Sequence, residues 1–169
     1  MEVMSRSFHA AVQARNIAEQ MGDDSPEEIF IATLLHELGE MAFWCITKDE
    51  GDALLEAMGE SDLGSTEIQQ EILGFTFGQL TLGLTQNWHL SDLLNSAINK
   101  PNFKNPRIQN IIHAIEISKQ SLKGWNSPEM KKQIAKLAKH LDQDEKETLK
   151  MVTENAQTAV ELAQSYGAK

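Results

Sequence analysis

The stretch Ile29–Ile46, IFIATLLHELGEMAFWCI, decides how this chain is read. It is almost wholly apolar, with His36, Glu37 and Glu40 in its middle. A helix apolar on every side either crosses a membrane or forms the central strut of a soluble core. The ionisable residues choose between these. A carboxylate held mid-span in lipid costs about 2.5–3.5 kcal/mol, so two Glu and a His predict a core helix. Buried carboxylates then need a cation, a metal or hydrogen-bond donors.

Working outward, Ser25-Pro26-Glu27-Glu28 opens this helix, with Ser25 as N-cap, Pro26 in the first helical position and Glu28 completing a capping box. Gly39 marks a weak point or a place of close packing. Cys45, beside Trp44, is expected to be a buried, inert thiol. Upstream, Ser5–Met21 repeats its apolar residues at helical spacing. Downstream, helices are predicted over Lys48–Met58, from a Thr66 cap to about Gly74, over Phe75–Trp88, and over a short run capped by Ser91. Gly59–Gly64 and Lys100–Pro106 read as loops. Arg107–Leu122 carries an Ile stripe, and Ser127-Pro128-Glu129 starts the next helix. Asp142, with Glu145 three residues on, is expected to cap the last one. There Leu149, Val152, Ala156, Ala159, Ala163 and Tyr166 form a heptad-like seam. Such a seam packs on its own domain or, alternatively, makes a homodimer through the C-terminal helix. No alternating strand pattern occurs, so the fold class is all-α.

The chain has 169 residues, 41% of them hydrophobic and 24% charged, which fits one domain with its own core. Its net charge of −10 argues against nucleic acid and against an anionic membrane surface. The single cysteine excludes a disulfide framework and a CxxC metal site. No basic-then-apolar signal opens the chain, so a cytoplasmic protein is expected. Trp88 and Trp125 are expected in the core and His89 at the surface. His113 and His140 have no ligand partner at i+3 or i+4.

Leu34-Leu35-His36-Glu37-Leu38-Gly39-Glu40-Met41 resembles the HD-domain signature LLHDIGK. Ala14–Gln20, Gly74-Phe75-Thr76 and Trp88-His89-Leu90 extend the resemblance to the HDOD family, the HD-related output domain, from about Ser5 to Leu122. It implies an HD-domain/phosphodiesterase-like bundle of about seven to eight helices. Residues 1–169 then form a single helical domain, with an HDOD-like core over 5–124 and a C-terminal helical pair over 127–167. The helical portion that usually precedes this stretch in the family is expected to be absent.

In catalytic relatives, His and Asp residues from several helices hold divalent metals that activate water. The resemblance places those positions here at Arg6, at His36 and Glu37, at Phe77, near Asn99–Asn102 and near Glu116. Arg6 is a fixed cation and Phe77 cannot coordinate, so too few ligands remain for a hydrolytic centre. Arg6 is therefore expected to replace the metal, pairing with Glu37 or Glu116 beside His36. No cofactor is expected; the alternative is a divalent metal held by His36, Glu37 and Glu116. Three functions follow. The chain is a non-catalytic signal-transduction or regulatory module that binds a partner protein or a small ligand. Alternatively it is a metal-dependent phosphohydrolase with a non-standard ligand set, or a helical assembly protein.

Overall fold

A computed structural model of the chain describes residues 2–60, 65–99 and 101–167. The apolar stretch does not make one helix. It forms α2 (Pro26–Leu34) and α3 (Leu38–Ile46), separated by a turn at Leu35–Glu37. The His36 amide donates to the Thr33 carbonyl at 3.2 Å and the Leu38 amide to Leu35 at 3.0 Å. These are the i→i−3 bonds of a tightened turn. The expected strut, continuous and buried on all sides, is corrected accordingly. Taken together, Pro26–Ile46 is long and apolar enough to cross a membrane by composition. Each nine-residue half rises only about 14 Å, against a hydrocarbon layer of about 30 Å.

Burial along it is one-sided. Phe43 is buried, whereas Ile46 is 82% exposed. Cys45 is also exposed, which corrects the expected buried thiol. Two residues on from Phe43 is roughly 200° around a helix, so Cys45 must face away from the packed side.

The other helices are α1 (Glu2–Gln20), α4 (Asp49–Glu60), α5 (Ser65–Leu73), α6 (Phe77–Asn87), α7 (Asp92–Ile98), α8 (Pro106–Ser121), α9 (Pro128–Leu141) and α10 (Glu145–Ser165), with no strand among the described residues. The all-α prediction holds. The helical segments outnumber the expected seven to eight, partly because the central stretch splits. The predicted loop at Gly59–Gly64 begins later than expected, since α4 runs to Glu60, and residues 61–64 lie outside the described residues, as does Lys100.

Two apolar clusters organise the helices. The larger joins Ile17 of α1, Ile29 of α2, Leu94 of α7, Ile111 of α8, Leu137 of α9 and Val152 of α10. The smaller joins Phe43 of α3, Leu54 of α4 and Ile68 of α5, with Phe77 and Leu80 of α6 against it. The turn at His36–Glu37 is thus the point where the chain passes from one core to the other. The seam on α10 packs on its own domain: Val152, Ala159 and Ala163 are buried, α10 lies along α1, and Tyr166 stacks on Phe8 at 5.5 Å.

Several local signals did not act where their patterns pointed. Ser25 makes no side-chain cap to α2. Glu28, its expected capping-box partner, instead pairs with Arg107 at 2.8 Å, and Arg107 also holds Asp23 at 2.9 Å. That fork ties the start of α8 to the α1–α2 corner. Asp142 does not cap α10; it ends α9 in the left-handed region at φ 52°, and Asp144 caps α10 by accepting the Lys146 amide at 2.7 Å. Thr66 lies inside the first turn of α5, after Ser65. Trp88 is 60% exposed at the end of α6, not in the core. Ser91 and Ser127 cap as predicted.

The sharpest steric constraint is at Gly39, where α3 meets α6. Its amide donates to Thr81 Oγ1 at 2.9 Å. A Cβ there would lie 2.6 Å from the Thr81 nitrogen and 2.7 Å from its Oγ1, and would overlap the Phe77 carbonyl oxygen. Two of these are backbone atoms, which cannot swing aside. Gly39→Ala is therefore expected to lower stability by about 1–3 kcal/mol through overpacking. Gly83→Ala, on α6 with open space around it, is expected to be neutral or stabilising by up to about 1 kcal/mol. Thermal unfolding of the two variants checks the contrast; equal midpoints would refute the close-approach reading.

Candidate functional site

The turn at Leu35–Glu37 aims the polar centre of the apolar stretch toward α1. Arg6 of α1 meets it. Its Nε–H donates to Glu37 at 2.9 Å (Oε2) and 3.2 Å (Oε1), and Nη2 donates to Glu40 Oε2 at 2.8 Å. One guanidinium therefore bridges two carboxylates that stand three residues apart, on one face of the chain's second core segment. Ser7 adds a hydroxyl donor to Glu37 at 3.3 Å, and the Trp44 indole N–H reaches Glu40 at 3.4 Å. Ser118 of α8 holds the arginine's own backbone, donating to the Arg6 carbonyl at 2.8 Å.

The electrostatics follow from this geometry. Burial works against the Arg6 charge, but hydrogen bonds and attraction from Glu37 and Glu40 outweigh it and hold its pKa above the ordinary guanidinium value. Burial raises the Glu40 pKa, with Glu37 adding to the rise and Arg6 and Trp44 opposing it. Burial also lowers His36 to about 4, against the attraction of Glu37 and with help from Lys119. His36 is therefore neutral at pH 7.

These side chains line a cavity of about 820 Å³ between α1, α3, α4, α5, α6 and α8. Trp44 and Phe77 supply an aromatic wall, with ring centroids 6.2 Å apart. Leu55 and Met58 of α4 line it as well, and Lys119 of α8 faces it. Arg6, His36, Glu37 and Phe77 are thus brought together as the sequence predicted. Glu116 is not among them: it lies on α8 outside both the ion pair and the cavity lining. Of the two partners expected for Arg6, Glu37 is observed and Glu116 is not. No cluster of three or more His, Cys, Asp or Glu able to hold a metal occurs among the described residues.

Sequence reasoning missed Glu40 as the second partner of Arg6, although its spacing from Glu37 puts both carboxylates on one helical face. It also missed the supporting contacts from Gln69, which accepts the Phe77 amide at 2.9 Å, and from Thr81. These are tertiary contacts with no local signal. Away from the site, His113 and His140 face each other across α8 and α9 with ring centroids 4.9 Å apart, a pairing that spacing along one helix cannot reveal.

Taken together, the bundle and the His-Glu turn at its centre define a protein of the HD type. The HDOD domain model matches residues 1–102, and the chain belongs to the HDOD family. Its fold is similar to the crystal structure of a "putative phosphohydrolase" from Shewanella amazonensis SB2B, at 19% identity and a TM-score of 0.68, covering 95% of this chain and 63% of that one. It is equally similar to an HDOD domain protein with unknown function from Geobacter sulfurreducens, at 18% identity and a TM-score of 0.68, covering 95% and 62%. The chain therefore spans a little under two thirds of the length of either structure. No curated protein matches it.

Two outcomes are expected. Arg6→Met leaves both carboxylates without their cation in a partly buried site and costs about 2 kcal/mol near neutral pH, discounted for their residual exposure. The loss shrinks as pH falls toward the carboxylate range, because burial raises the Glu40 pKa, and without Arg6 to oppose that rise the protonated form of Glu40 is favoured. Urea unfolding of both chains at several pH values reads this difference. For His36, a folded-state pKa of about 4 against an ordinary 6.5 means that the unfolded chain binds more protons between those values. Stability should therefore fall as pH drops from 6.5 toward 4, and His36→Gln should flatten that slope by at most about 3 kcal/mol in total.

Proposed function

We propose that this chain is a non-catalytic regulatory module of signal transduction, which binds a small ligand or a partner protein's side chain in the cavity around Arg6. The observation that carries this is the Arg6 fork. At the position where the resemblance puts a metal-binding histidine, a permanent cation is bonded to Glu37 and Glu40. A divalent ion would have to displace that guanidinium and sit beside its charge. Phe77 contributes only a ring to the same wall. A hydrolytic centre needs converging ligands plus an open position for water, whereas both glutamates are paired with Arg6 and no metal-holding cluster of three or more such side chains occurs among the described residues.

The cavity is within the range of small-molecule sites, roughly 300–1,000 Å³, and combines an apolar wall with a few convergent polar groups. Leu55 and Met58, 56% and 40% exposed, extend its apolar character to the surface, where a partner chain can contact it. A cytoplasmic location belongs to the same proposal: exposed Cys45 is kept as a thiol in a reducing compartment.

The experiment is metal analysis of chain purified without chelator, paired with an assay on a chromogenic phosphodiester. The expected result is substoichiometric iron, manganese, zinc and magnesium, and no turnover with any of them added. Stoichiometric metal that is lost on His36→Ala, together with hydrolysis lost in the same variant, would overturn the reading and make the chain a phosphohydrolase.

A further inference from the structure

The cavity around Glu37 has a neighbour on the other side of Arg6. There α1, the C-terminal end of α8 and α10 enclose a groove of about 530 Å³. Ala156, Ala159 and Ala163 of α10 line it, so that one wall of the groove is made of methyl groups, where longer side chains would fill the space. Leu122, Trp125 and Val160 line the rest of its apolar surface. Arg6 lines both cavities, so the two share a wall.

The polar groups of this groove are ordered by a network that reaches α10. The Gln13 side-chain NH₂ donates to the Val152 carbonyl at 2.7 Å, and its carbonyl accepts from Asn155 at 3.0 Å. The orientation of the amide is thereby set. Its second N–H meets His9 Nε2 at 2.9 Å, so this ring nitrogen must accept. The His9 proton therefore sits on Nδ1. Nδ1–H faces Ser121 Oγ at a long 3.4 Å, while the Ser121 hydroxyl donates to the Ser118 carbonyl at 2.7 Å. The His9 N–H is thus held by one long bond, and Ser5, Trp125 and Gln164 bring further donor groups to the lining.

Its charge balance is equally definite. Among the described residues of the lining, Arg6 is the only charged side chain, and it is paired with Glu37 and Glu40. The edge-on contact of His9 with Trp125, at 6.1 Å, joins the donor to the aromatic lip.

We propose that this groove is a second binding site, for an uncharged and mostly apolar small molecule that presents one acceptor oxygen to His9 Nδ1–H. An anion finds the guanidinium neutralised, and a cation finds no carboxylate among the described lining residues. Leu122 and Val160, 75% and 50% exposed, form the open lip of the groove. The size suits a ring system or a medium-length chain carrying a ketone, ether or alcohol.

The test is titration of the whole chain with prodan, an uncharged naphthyl ketone whose emission moves to the blue in apolar surroundings. Saturable one-to-one binding with quenching of Trp125 is expected. Ala156→Leu, which fills the groove, and Val160→Asp, on its exposed lip, should each weaken it by about tenfold or more with unchanged unfolding midpoints. Trp44→Phe, in the other cavity, should leave it intact. His9→Phe should weaken prodan but not a naphthalene lacking the ketone. The proposal is overturned by an unsaturable signal, by wild-type binding in Ala156→Leu, or by tighter binding of the anionic anilinonaphthalene sulfonate. It is also overturned if light scattering shows a dimer that Val160→Asp dissociates, since a second copy would then cover this face.

Discussion

One guanidinium holds this molecule's centre together. Placing two carboxylates in a partly buried site is unfavourable unless a cation and hydrogen-bond donors replace the lost water. Arg6 supplies both at once, because its planar fork offers several N–H groups in fixed directions. It reaches Glu37 through Nε and Glu40 through Nη2. A lysine in its place would be a point charge and would not span the two in the same way. The fork also fixes α1 against the turn between α2 and α3, so the longest apolar stretch of the chain is anchored by its least apolar residues.

That turn divides the structure's labour. Ile29 and Ala32 of α2 pack into the larger core, and Phe43 of α3 into the smaller. A straight helix would carry all of these residues along one axis. The tightened bonds at His36 and Leu38 redirect the chain instead, and the amide that opens α3 at Gly39 finds its acceptor on Thr81 of α6. Absence of a Cβ at Gly39 lets the α6 backbone come close enough for that bond. The aromatic wall of the cavity, Trp44 and Phe77, sits on the two helices that this contact brings together. Steric permission at one glycine and charge balance at one arginine thus set the shape of the site.

Arg6 also stands between two cavities of different character. One side has carboxylates, a neutral histidine and two aromatic rings; the other has alanines, Trp125 and a histidine whose tautomer is dictated by Gln13. Both histidines are kept neutral by burial, to a pKa of about 4. Fixed charge around the two cavities lies in the Arg6 fork and in Lys119, which faces the Glu37 side.

The sequence alone determined the all-helical class, through local periodicity and caps, and the contiguous His36-Glu37 motif, while Arg6 and Phe77 entered only through the resemblance of the chain to its family. It marked Gly39 as special without saying what approaches it. The tertiary structure decided the break at Leu35–Glu37, the exposure of Cys45 and Trp88, the choice of Glu40 over Glu116 as second partner, and the failure of Ser25 and Asp142 to cap where their patterns pointed. Where a cap failed, the local preference was worth about 1 kcal/mol: at Ser25 the box partner Glu28 went to Arg107, and at Asp142 the residue ended α9 while Asp144 capped α10. Glu28 left its capping box for Arg107, and Glu37 took its charge partner from α1. Spacing along one helix cannot report which distant side chain will arrive, and in this molecule the arrivals made the site.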